Sequence, residues 1–344
     1  MKVWVDITES SHVLFYAPII RRLEEQGHIV TLTARRFAQT ELLLRRFGLI
    51  AVISGQERGK GFVARAFSLA SRTAYLIASA RQGGIDVAVG HDANDLAMAA
   101  YTLGIPQLSI LADERPNRAR HLHLRLVNEV AVPEAIPLER LLHLGVNPER
   151  VRRFPGHEEE YYLYDFEPEP DVLERIGASP RRVIGVVRPA NAALPHYSEQ
   201  AANLDRLLTD LSAKRDVTLI VIARSEEQRA HFHSLGLRNL LVADASIDGL
   251  SLIAAADFMV GAGGAMMREA AALGTPTYTL LQEQPGAVEA RLLTEGRLRR
   301  ATTAADVKIK KKDVRTATTA ARDPQLFVDA IVSLARRPRR PLLV

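Results

Sequence analysis

Short apolar runs alternate with amphipathic segments along the whole chain. Residues 3–7 form an apolar run that predicts a buried strand, and residues 14–23 repeat apolar side chains at helical spacing. Gly27 stands where the C-terminal glycine of a helix belongs, and the alternating residues 28–33 predict a second strand. Because strands that alternate with helices build parallel sheets covered on both faces, this pattern predicts an α/β fold.

The alternation runs through two halves of the chain, separated at residues 154–170 by prolines, acids and tyrosines. We predict two Rossmann-like, doubly wound parallel-sheet domains facing across a cleft, with ligands at the carboxyl ends of the strands. The last predicted strand of the first half is 127–132, and the second half restarts with the strand 183–187. The predicted boundaries are 1–160 for an N-terminal domain and 171–322 for a C-terminal domain. Residues 323–344 are predicted to form a C-terminal helix and a basic tail, which can pack back on the N-terminal domain.

Length and composition narrow the class of protein. The 344 residues are enough for two domains, each with its own core. The absence of cysteine excludes a disulfide framework, a zinc–cysteine site and a cysteine nucleophile. The N-terminus has no basic segment before a long apolar core, and no stretch has the ~18 apolar residues of a membrane span. A cytoplasmic enzyme is the expectation.

The net charge of +5 comes from local clusters of basic residues. Lys and Arg outnumber acids between residues 291 and 322, and further arginines follow at 336–340 and at 115–125. These clusters are either solvated helix faces or surfaces that attract phosphates or an anionic membrane. Nucleic acid fits poorly, because no aromatic residues are interleaved with the basic ones. Peripheral contact with the inner face of the membrane is therefore one expectation for the C-terminal region.

A glycine-rich turn at residues 260–269 is the strongest candidate for ligand binding. An apolar strand enters Gly263 and Gly264, and the turn opens a helix that carries Glu269. Glycines allow a phosphate to approach the backbone closely, and a helix N-terminus presents free N–H groups to it. The alternative is a turn whose glycines serve packing alone. The order of residues matches neither the dinucleotide fingerprint nor the P-loop.

Two further strand ends carry candidate chemistry. Ser11 and His12 follow the first strand, where an imidazole can accept a proton from a hydroxyl or can remain passive near the helix start. Arg188 ends the first strand of the second half, where a guanidinium can neutralise a diphosphate leaving group. A surface arginine before a proline turn is the alternative for Arg188.

Weaker candidates occupy two other loops of the first half. Asp92 follows one predicted strand, while Asp113 and Glu114 follow another. These side chains can hold a sugar, act as acid or base, or simply cap helices. The spacing of Asp92 and Asp95 does not indicate a metal site. His121 and His123, two residues apart, are predicted to be surface residues.

These motifs carry a resemblance to known families. The run 2–35, with Ser-His-Val at 11–13 and Gly-His at 27–28, resembles the opening of GT-B glycosyltransferases. The run 256–276, with Gly-Gly and Arg-Glu-Ala-Ala-Ala-Leu-Gly-Thr-Pro, and the stretch 284–296 resemble segments of the peptidoglycan N-acetylglucosaminyltransferase, the first of them shared with UDP-N-acetylglucosamine 2-epimerase. Nearly the whole chain is most similar to an uncharacterised domain-of-unknown-function family of the GT-B superfamily.

The resemblance implies a GT-B-like fold and a role for each matching residue. Glu269 would bind the ribose, and Gly263 and Gly264 would hold the diphosphate with help from Arg188. His12 would be the base that faces the acceptor. Neither a metal nor another cofactor would be required. The N-terminal domain would then take the acceptor and the C-terminal domain the nucleotide sugar.

Departures from both families leave the reaction open. Thr8 to Ser11 replace the glycines of the peptidoglycan enzyme, and the arginine-proline-glutamate opening of the epimerase is absent. The first hypothesis is a glycosyltransferase that moves a sugar from a nucleotide-diphospho-sugar, with UDP the expected nucleotide, to an acceptor hydroxyl. Lipid-linked molecules and surface polysaccharides are the candidate acceptors. The second is a sugar-nucleotide epimerase that uses acids among Asp92, Asp95, Asp113 and Glu114. The third is a non-catalytic nucleotide-sugar-binding protein.

Overall fold

The computed structural model of the chain describes residues 1–37, 39–55, 61–81, 83–111, 114, 121–190, 197–244, 247–281, 284–312 and 320–337. The chain divides into two compact units. Unit 1 comprises Met1–Tyr164 together with the chain from Arg322 onward, and unit 2 comprises Asp165–Ala321. Each unit is built on one parallel sheet, so the predicted pair of doubly wound parallel sheets is confirmed.

Unit 1 contains a seven-stranded sheet in the order β3-β2-β1-β4-β5-β6-β7. Its central strands β1 and β4 pair in parallel, and the sequence direction of the winding reverses between them. Such a reversal creates a crevice at the carboxyl ends of the two strands. The strands are β1 (Lys2–Ile7), β2 (Ile29–Ala34), β3 (Ala51–Ile53), β4 (Val87–His91), β5 (Gln107–Ile110), β6 (Glu129–Pro133) and β7 (Val151–Phe154).

Unit 2 contains a six-stranded parallel sheet in the order β10-β9-β8-β11-β12-β13. Here the winding reverses between β8 and β11, which pair in parallel at the centre of the sheet. The same crevice is therefore expected at their carboxyl ends. The strands are β8 (Val183–Arg188), β9 (Val217–Val221), β10 (Leu240–Val242), β11 (Phe258–Gly261), β12 (Thr277–Thr279) and β13 (Leu298–Arg300).

In both units α-helices lie between successive strands, except between β5 and β6, where the described residues hold a 3-10 helix at Leu122–Arg125. Those before residue 165 belong to unit 1, the next six to unit 2, and the last one again to unit 1. They are α1 (Ser10–Glu25), α2 (Thr40–Arg46), α3 (Phe62–Ala80), α4 (Asn94–Thr102), α5 (Leu138–His143), α6 (Glu158–Tyr162), α7 (Val172–Arg175), α8 (Tyr197–Ser212), α9 (Glu226–Ser234), α10 (Gly249–Ala255), α11 (Ala265–Ala272), α12 (Ala287–Thr294) and α13 (Gln325–Ala335). Among the described helices, none is long and apolar enough to cross a membrane.

The strand β1 shows how the sequence covers both faces of the unit 1 sheet. Val3, Val5 and Ile7 belong to one apolar cluster with residues of α1 and α13. Trp4 belongs to a second cluster with residues of α3 and α4. Because successive side chains of a strand point to opposite faces, a continuous apolar run is what a doubly covered strand needs.

The helix α13 completes the core of unit 1. The ring of Phe327 lies in edge-on contact with Phe15, Phe154 and Tyr161, with ring centroids 4.8–5.1 Å apart. Outside the core, Arg322 forms an ion pair with Glu160 at 2.5 Å. The last helix therefore packs on the unit that contains the first 164 residues.

The strand β7 extends the unit 1 sheet beyond the predicted last strand at 127–132. Its sequence is Val-Arg-Arg-Phe, and the side chain of Arg152 pairs with Glu129 on β6 at 2.8 Å. Arginines are uncommon in an interior strand, but at a sheet edge their charged ends can reach solvent. The prediction missed this strand because it relied on apolar runs.

Candidate functional site

The winding reversal of unit 2 places three predicted site segments at one edge of the sheet. Arg188 ends β8 and is the register partner of Gly261, which ends β11. The backbone N–H of Ala262 donates to the carbonyl of Arg188 at 3.3 Å. Gly263 and Gly264 follow directly and open α11. Arginine, glycine turn and helix N-terminus therefore lie side by side where ligands of such sheets bind.

The turn into α11 uses backbone conformations that favour glycine. Gly263 has a φ of 78°, and a Cβ there would lie 2.6 Å from the Cδ1 atom of Leu281. Gly264, the N-cap residue of α11, has a φ of 91° and a ψ of −175°. Among the described residues, no atom lies within 4 Å of the position that a Cβ of Gly264 would take. The turn is thus shaped by backbone constraints at Gly263 and is open beside Gly264.

Two arginines make this edge of unit 2 electropositive. Nη1 of Arg188 donates to the carbonyls of Ile222 and Ala223, at 2.7 and 3.2 Å. Nε of Arg224 donates to the carbonyl of Pro189 at 3.0 Å. Burial, together with the neighbouring charge of Arg224, lowers the pKa of Arg188 to about 10, while Glu269 opposes the shift. Two adjacent guanidinium groups favour the binding of an anion.

Glu269 is the fifth residue of α11, about one turn from the start of the helix. Its side chain is buried, with 5% of the residue exposed, and its charge acts on Arg188. The carboxylate therefore belongs to the same electrostatic environment as the two arginines. In this position it balances part of the positive charge of Arg188.

The winding reversal of unit 1 brings two histidines together. His12 is the third residue of α1, and His91 is the last residue of β4. Their rings stack with centroids 4.0 Å apart and planes at 8°. Nδ1 of His12 lies 3.3 Å from Oγ1 of Thr8 in the loop after β1. His12 therefore lies at the carboxyl ends of β1 and β4.

His91 carries positive charge in this pair. Its Nε2 lies 3.2 Å from a carboxylate oxygen of Glu158 on α6. Burial lowers the pKa of His91, but the charges of Glu158, Asp92 and Glu9 outweigh burial and raise it to about 9. The stack thus consists of the imidazolium ring of His91 and the ring of His12. Fixed positive charge beside His12 favours anionic groups at this position.

Asp92 has the backbone conformation that points most directly to function. Its φ of 48° is the single positive φ of a non-glycine residue in the part of the chain that the structure describes. Left-handed conformations are uncommon outside glycine and concentrate at functional sites. Oδ1 of Asp92 lies 3.4 Å from Nε2 of His123. The structure thus places Asp92 beside His91 and His123 at the end of β4.

The other predicted residues of unit 1 differ in position. Ser11 is half-buried as the second residue of α1. Glu114 is 4% exposed and forms an ion pair with Arg140 at 2.6 Å. Asp113 lies outside the described residues, as do Arg115–Arg120 and Arg339–Arg340 of the basic clusters. The roles of these residues remain predictions.

Asp95 belongs to a buried ion-pair network in unit 1. Arg72 donates to Asp95 at 2.7 Å and to Asp6 at 2.7 and 2.9 Å. Arg35 forms a second ion pair with Asp95. Thr33 donates its hydroxyl to Asp6 at 2.5 Å. The network links β1, β2, α3 and α4 beneath the strand ends that carry His12 and Asp92.

The surface prediction for His121 and His123 is wrong. The two residues are 1% and 0% exposed. Asn94, at the start of α4, accepts a hydrogen bond from the backbone N–H of His123 at 2.9 Å. The spacing of the two histidines in the sequence gave no sign of the partner of His123, which lies 29 residues earlier. Burial of a polar ring requires such compensation.

Three further residues of these edges were not among the predicted site residues. His91 and Glu158 form the buried ion pair beside His12, and Arg224 accompanies Arg188. His91 follows an apolar run and directly precedes Asp92, which is a sequence signal for a strand-end side chain. Glu158 lies in an acid-rich stretch that the prediction assigned to the connection between domains. Its burial depends on tertiary packing and has no local signal.

Comparison with known proteins places the chain in a family. The model of one family, described as a protein of unknown function (DUF354), matches residues 1–322. The chain belongs to the DUF354 family. The uncharacterized protein MJ0665 of Methanocaldococcus jannaschii is similar to this DUF354 protein, with 25% identity over 305 residues and 87% of each chain covered.

Solved structures with the same fold include UDP-GlcNAc 2-epimerases. The enzyme from M. jannaschii has a TM-score of 0.75 at 13% identity, and the match covers 98% of this chain and 100% of that one. The enzyme from Neisseria meningitidis, solved bound to UDP-GlcNAc, has a TM-score of 0.70 at 14% identity, with 89% of each chain covered. This DUF354 protein thus has the GT-B-like fold of that superfamily, as predicted. At such identities the likeness establishes the fold alone.

Proposed function

We propose that this DUF354 protein is an enzyme that acts on a nucleoside-diphosphate sugar. The observation that carries the proposal is the edge of unit 2 where Arg188 and Arg224 lie beside the open glycine turn of α11. Two cations and a helix N-terminus provide the charge and the hydrogen-bond donors that a diphosphate needs. The printed ligand of the N. meningitidis relative, UDP-GlcNAc, belongs to this chemical class.

Each residue of this edge receives a role in the proposal. The backbone N–H groups that follow Gly263 and Gly264 bind the diphosphate, and Arg188 neutralises its charge. The carboxylate of Glu269 accepts hydrogen bonds from the ribose hydroxyls. Burial is the main cause of the lowered pKa of Arg188, and an anion would offset the second cause, the charge of Arg224.

Transfer of the sugar to an acceptor hydroxyl is the first reaction considered. His12 acts as the base that takes the hydroxyl proton. The oxygen of the acceptor forms a bond to the anomeric carbon, and the bond from that carbon to the diphosphate breaks. The departing diphosphate takes the electron pair, and Arg188 stabilises the negative charge that develops there. The basic residues near the C-terminus are the reason for proposing a lipid-linked or membrane-proximal acceptor.

Epimerisation is the second reaction, and two observations favour it. The similar structures named above are UDP-GlcNAc 2-epimerases. Unit 1 also carries more ionisable groups than a single base requires, including Asp92 with its strained backbone. Inverting a carbon centre requires one group that removes a proton and another that returns it to the opposite face. Asp92 and Glu114 are the proposed acids for this chemistry.

Nucleotide binding tests the shared part of the proposal. Calorimetry with UDP, GDP, CDP, ADP and their sugars should show binding of one nucleotide, with UDP expected. Glu269→Gln should weaken that binding about tenfold or more, because one charge-assisted hydrogen bond contributes ~1.5–3 kcal/mol. Glu174→Gln, an exposed carboxylate on α7, serves as the matched control and should bind as the wild type does. The absence of binding at millimolar nucleotide would refute the proposal.

A second experiment separates the two reactions. The wild type is incubated with UDP-GlcNAc in D₂O, without acceptor, and followed by proton NMR. Loss of the signal of the proton at C2 of the sugar, together with the appearance of a second sugar nucleotide, would establish epimerisation and contradict transfer. Release of UDP only after addition of an acceptor, abolished by His12→Ala, would establish transfer. Binding without either reaction would leave the third hypothesis, a nucleotide-sugar-binding protein.

A further inference from the structure

Asp92, His121 and His123 form a cluster of metal-ligating side chains in unit 1. One ligand atom from each residue lies within 4.8 Å of the other two. Both histidines are buried, and the side chain of Asp92 is 9% exposed. Asp92 follows β4, and the two histidines lie at the start of a short 3-10 turn at Leu122–Arg125. Two imidazoles and one carboxylate form a ligand set typical of zinc sites.

Hydrogen bonding to Asn94 determines the protonation of His123. Oδ1 of Asn94 accepts the backbone N–H of His123 at 2.9 Å, which identifies that amide atom as the oxygen. The same oxygen lies 3.1 Å from Nδ1 of His123. Because an amide oxygen only accepts hydrogen bonds, Nδ1 must carry the proton. In the neutral ring, Nε2 then presents its lone pair.

That lone pair points toward a negative group. Nε2 of His123 lies 3.4 Å from Oδ1 of Asp92 and, within the described part of the chain, has no hydrogen-bond partner. A lone pair facing a carboxylate oxygen in a buried place is repulsive unless a cation lies between them. Ligand atoms of a tetrahedral zinc ion are about 3.3 Å apart, given zinc–nitrogen bonds of about 2.0 Å. The separation observed matches one edge of that tetrahedron.

The backbone around the cluster is consistent with a prepared site. Asp92 adopts its φ of 48° at the end of β4, and that conformation directs the residue away from the line of the strand. Strain of this kind persists where the surrounding structure requires it. Asn94 holds the ring of His123 in the way that outer hydrogen-bond partners orient metal-ligating histidines.

We infer that Asp92, His121 and His123 bind one divalent transition-metal ion of the zinc class. Nε2 of His123, a ring nitrogen of His121 and a carboxylate oxygen of Asp92 are the three ligands. A site with three protein ligands leaves a fourth position for water or another ligand. The inference does not depend on the proposed binding of a nucleotide sugar, but it removes Asp92 from the acids of an epimerisation, because a carboxylate bound to the ion is not free to exchange a proton. The competing occupant is a proton on Nε2 of His123.

Metal binding to the purified, tag-free chain tests the inference. The chain is first treated with a chelator and then titrated with Zn²⁺ by calorimetry and with Co²⁺ by visible absorption. We expect one ion per chain and the intense ligand-field bands of tetrahedral Co²⁺. His123→Ala and Asp92→Asn should abolish those bands. His231→Gln is the matched control, since His231 pairs with Asp205 at 2.9 Å in unit 2 without a third ligand.

A fourth variant distinguishes a lost ligand from a damaged fold. Asn94→Ala keeps all three ligands and should weaken Zn²⁺ binding by about 10–100-fold, the usual effect of losing a partner that orients a ligand. The fluorescence of Trp4, buried in unit 1, verifies that each variant is folded. Binding of less than one ion per chain, or equal binding by the wild type and His123→Ala, would overturn the inference. The group between His123 and Asp92 would then be a proton on Nε2 of His123.

Discussion

Arg72 is buried in unit 1 in contact with two carboxylates. Its guanidinium is 1% exposed and bonds the carboxylates of Asp6 and Asp95, which are completely buried. Burial lowers the pKa of Arg72, but the two carboxylates outweigh burial and raise it. The arginine therefore remains charged, and its charge compensates two buried negative groups. Such a network stabilises the fold only while every partner is present.

Replacement of Arg72 by Met should destabilise unit 1. The variant leaves two buried carboxylates with one remaining partner arginine, which costs about 3–5 kcal/mol. Trp4 is the sole tryptophan of the chain, and its indole N–H donates to Thr33 within unit 1. Urea unfolding followed by Trp4 fluorescence therefore reports this unit alone.

Arg65→Met provides the control for this experiment. Arg65 lies on the same helix, α3, but its side chain is exposed. The change should alter the free energy of unfolding by no more than about 0.5 kcal/mol. If Arg72→Met unfolded at the same urea concentration as Arg65→Met, the buried network would have no net role in stability.

At the scale of elements, α11 and α12 allow a matched comparison of two helix starts. Both helices have eight residues, and both have a glycine as N-cap residue. Gly286, before α12, has a φ of −60°, which any residue adopts. Gly264, before α11, has a φ of 91° with a ψ of −175°, a combination almost confined to glycine. The start of α11 is therefore the one that requires glycine.

Gly264→Ala should loosen the start of α11. The added Cβ meets open space, so the cost of about 1–3 kcal/mol comes from the backbone conformation alone. Hydrogen exchange measured on peptides that cover residues 258–272 should become faster in this variant. Gly286→Ala should leave the exchange of its own helix nearly unchanged. Equal protection in both variants would show that the turn relaxes without cost.

The elements that the sequence predicted well are the central ones. The strands β1, β4, β8 and β11 are buried on both faces, so their apolar runs are continuous and bounded by polar turns. The edge strand β7 carries two arginines, and its pairing with β6 depends on a neighbour from elsewhere in the chain. Local pattern therefore identifies interior strands better than edges.

The candidate site could be predicted from the sequence where a single segment contains the whole pattern. The turn at Gly263 and Gly264 is visible in the sequence because two glycines follow an apolar strand. The burial of His123 was not visible, because it depends on Asn94, 29 residues away. The ion pair of His91 with Glu158 joins residues 67 positions apart and was missed for the same reason.

At the scale of the whole molecule, the chain leaves unit 1 at Tyr164 and returns to it at Arg322. The returning helix α13 buries Phe327, Val328, Ile331 and Leu334 in the principal core of unit 1. It contacts α1 and the strands β4 and β5. Unit 2 is continuous in sequence, whereas unit 1 is assembled from two distant segments.

Phe327→Ala should destabilise unit 1 although the residue lies near the end of the sequence. Loss of a buried phenylalanine costs about 3–5 kcal/mol. The urea midpoint of Trp4 fluorescence should fall accordingly. Ser333→Ala, an exposed position on the same helix, should leave the midpoint nearly unchanged. A Phe327→Ala midpoint equal to that of Ser333→Ala would show that α13 is not needed for the stability of unit 1.

The return of α13 also sets an order for events during synthesis. About 160 residues of unit 2 separate Tyr164 from Arg322, and at 5–20 residues per second the ribosome needs roughly 10–30 s to make them. Throughout that interval the nascent unit 1 lacks the helix that covers Phe15, Phe154 and Tyr161. Unit 2, made later, has all its elements before unit 1 has its last helix. The N-terminal unit is thus completed last, and its aromatic side chains stay uncovered until α13 has been made.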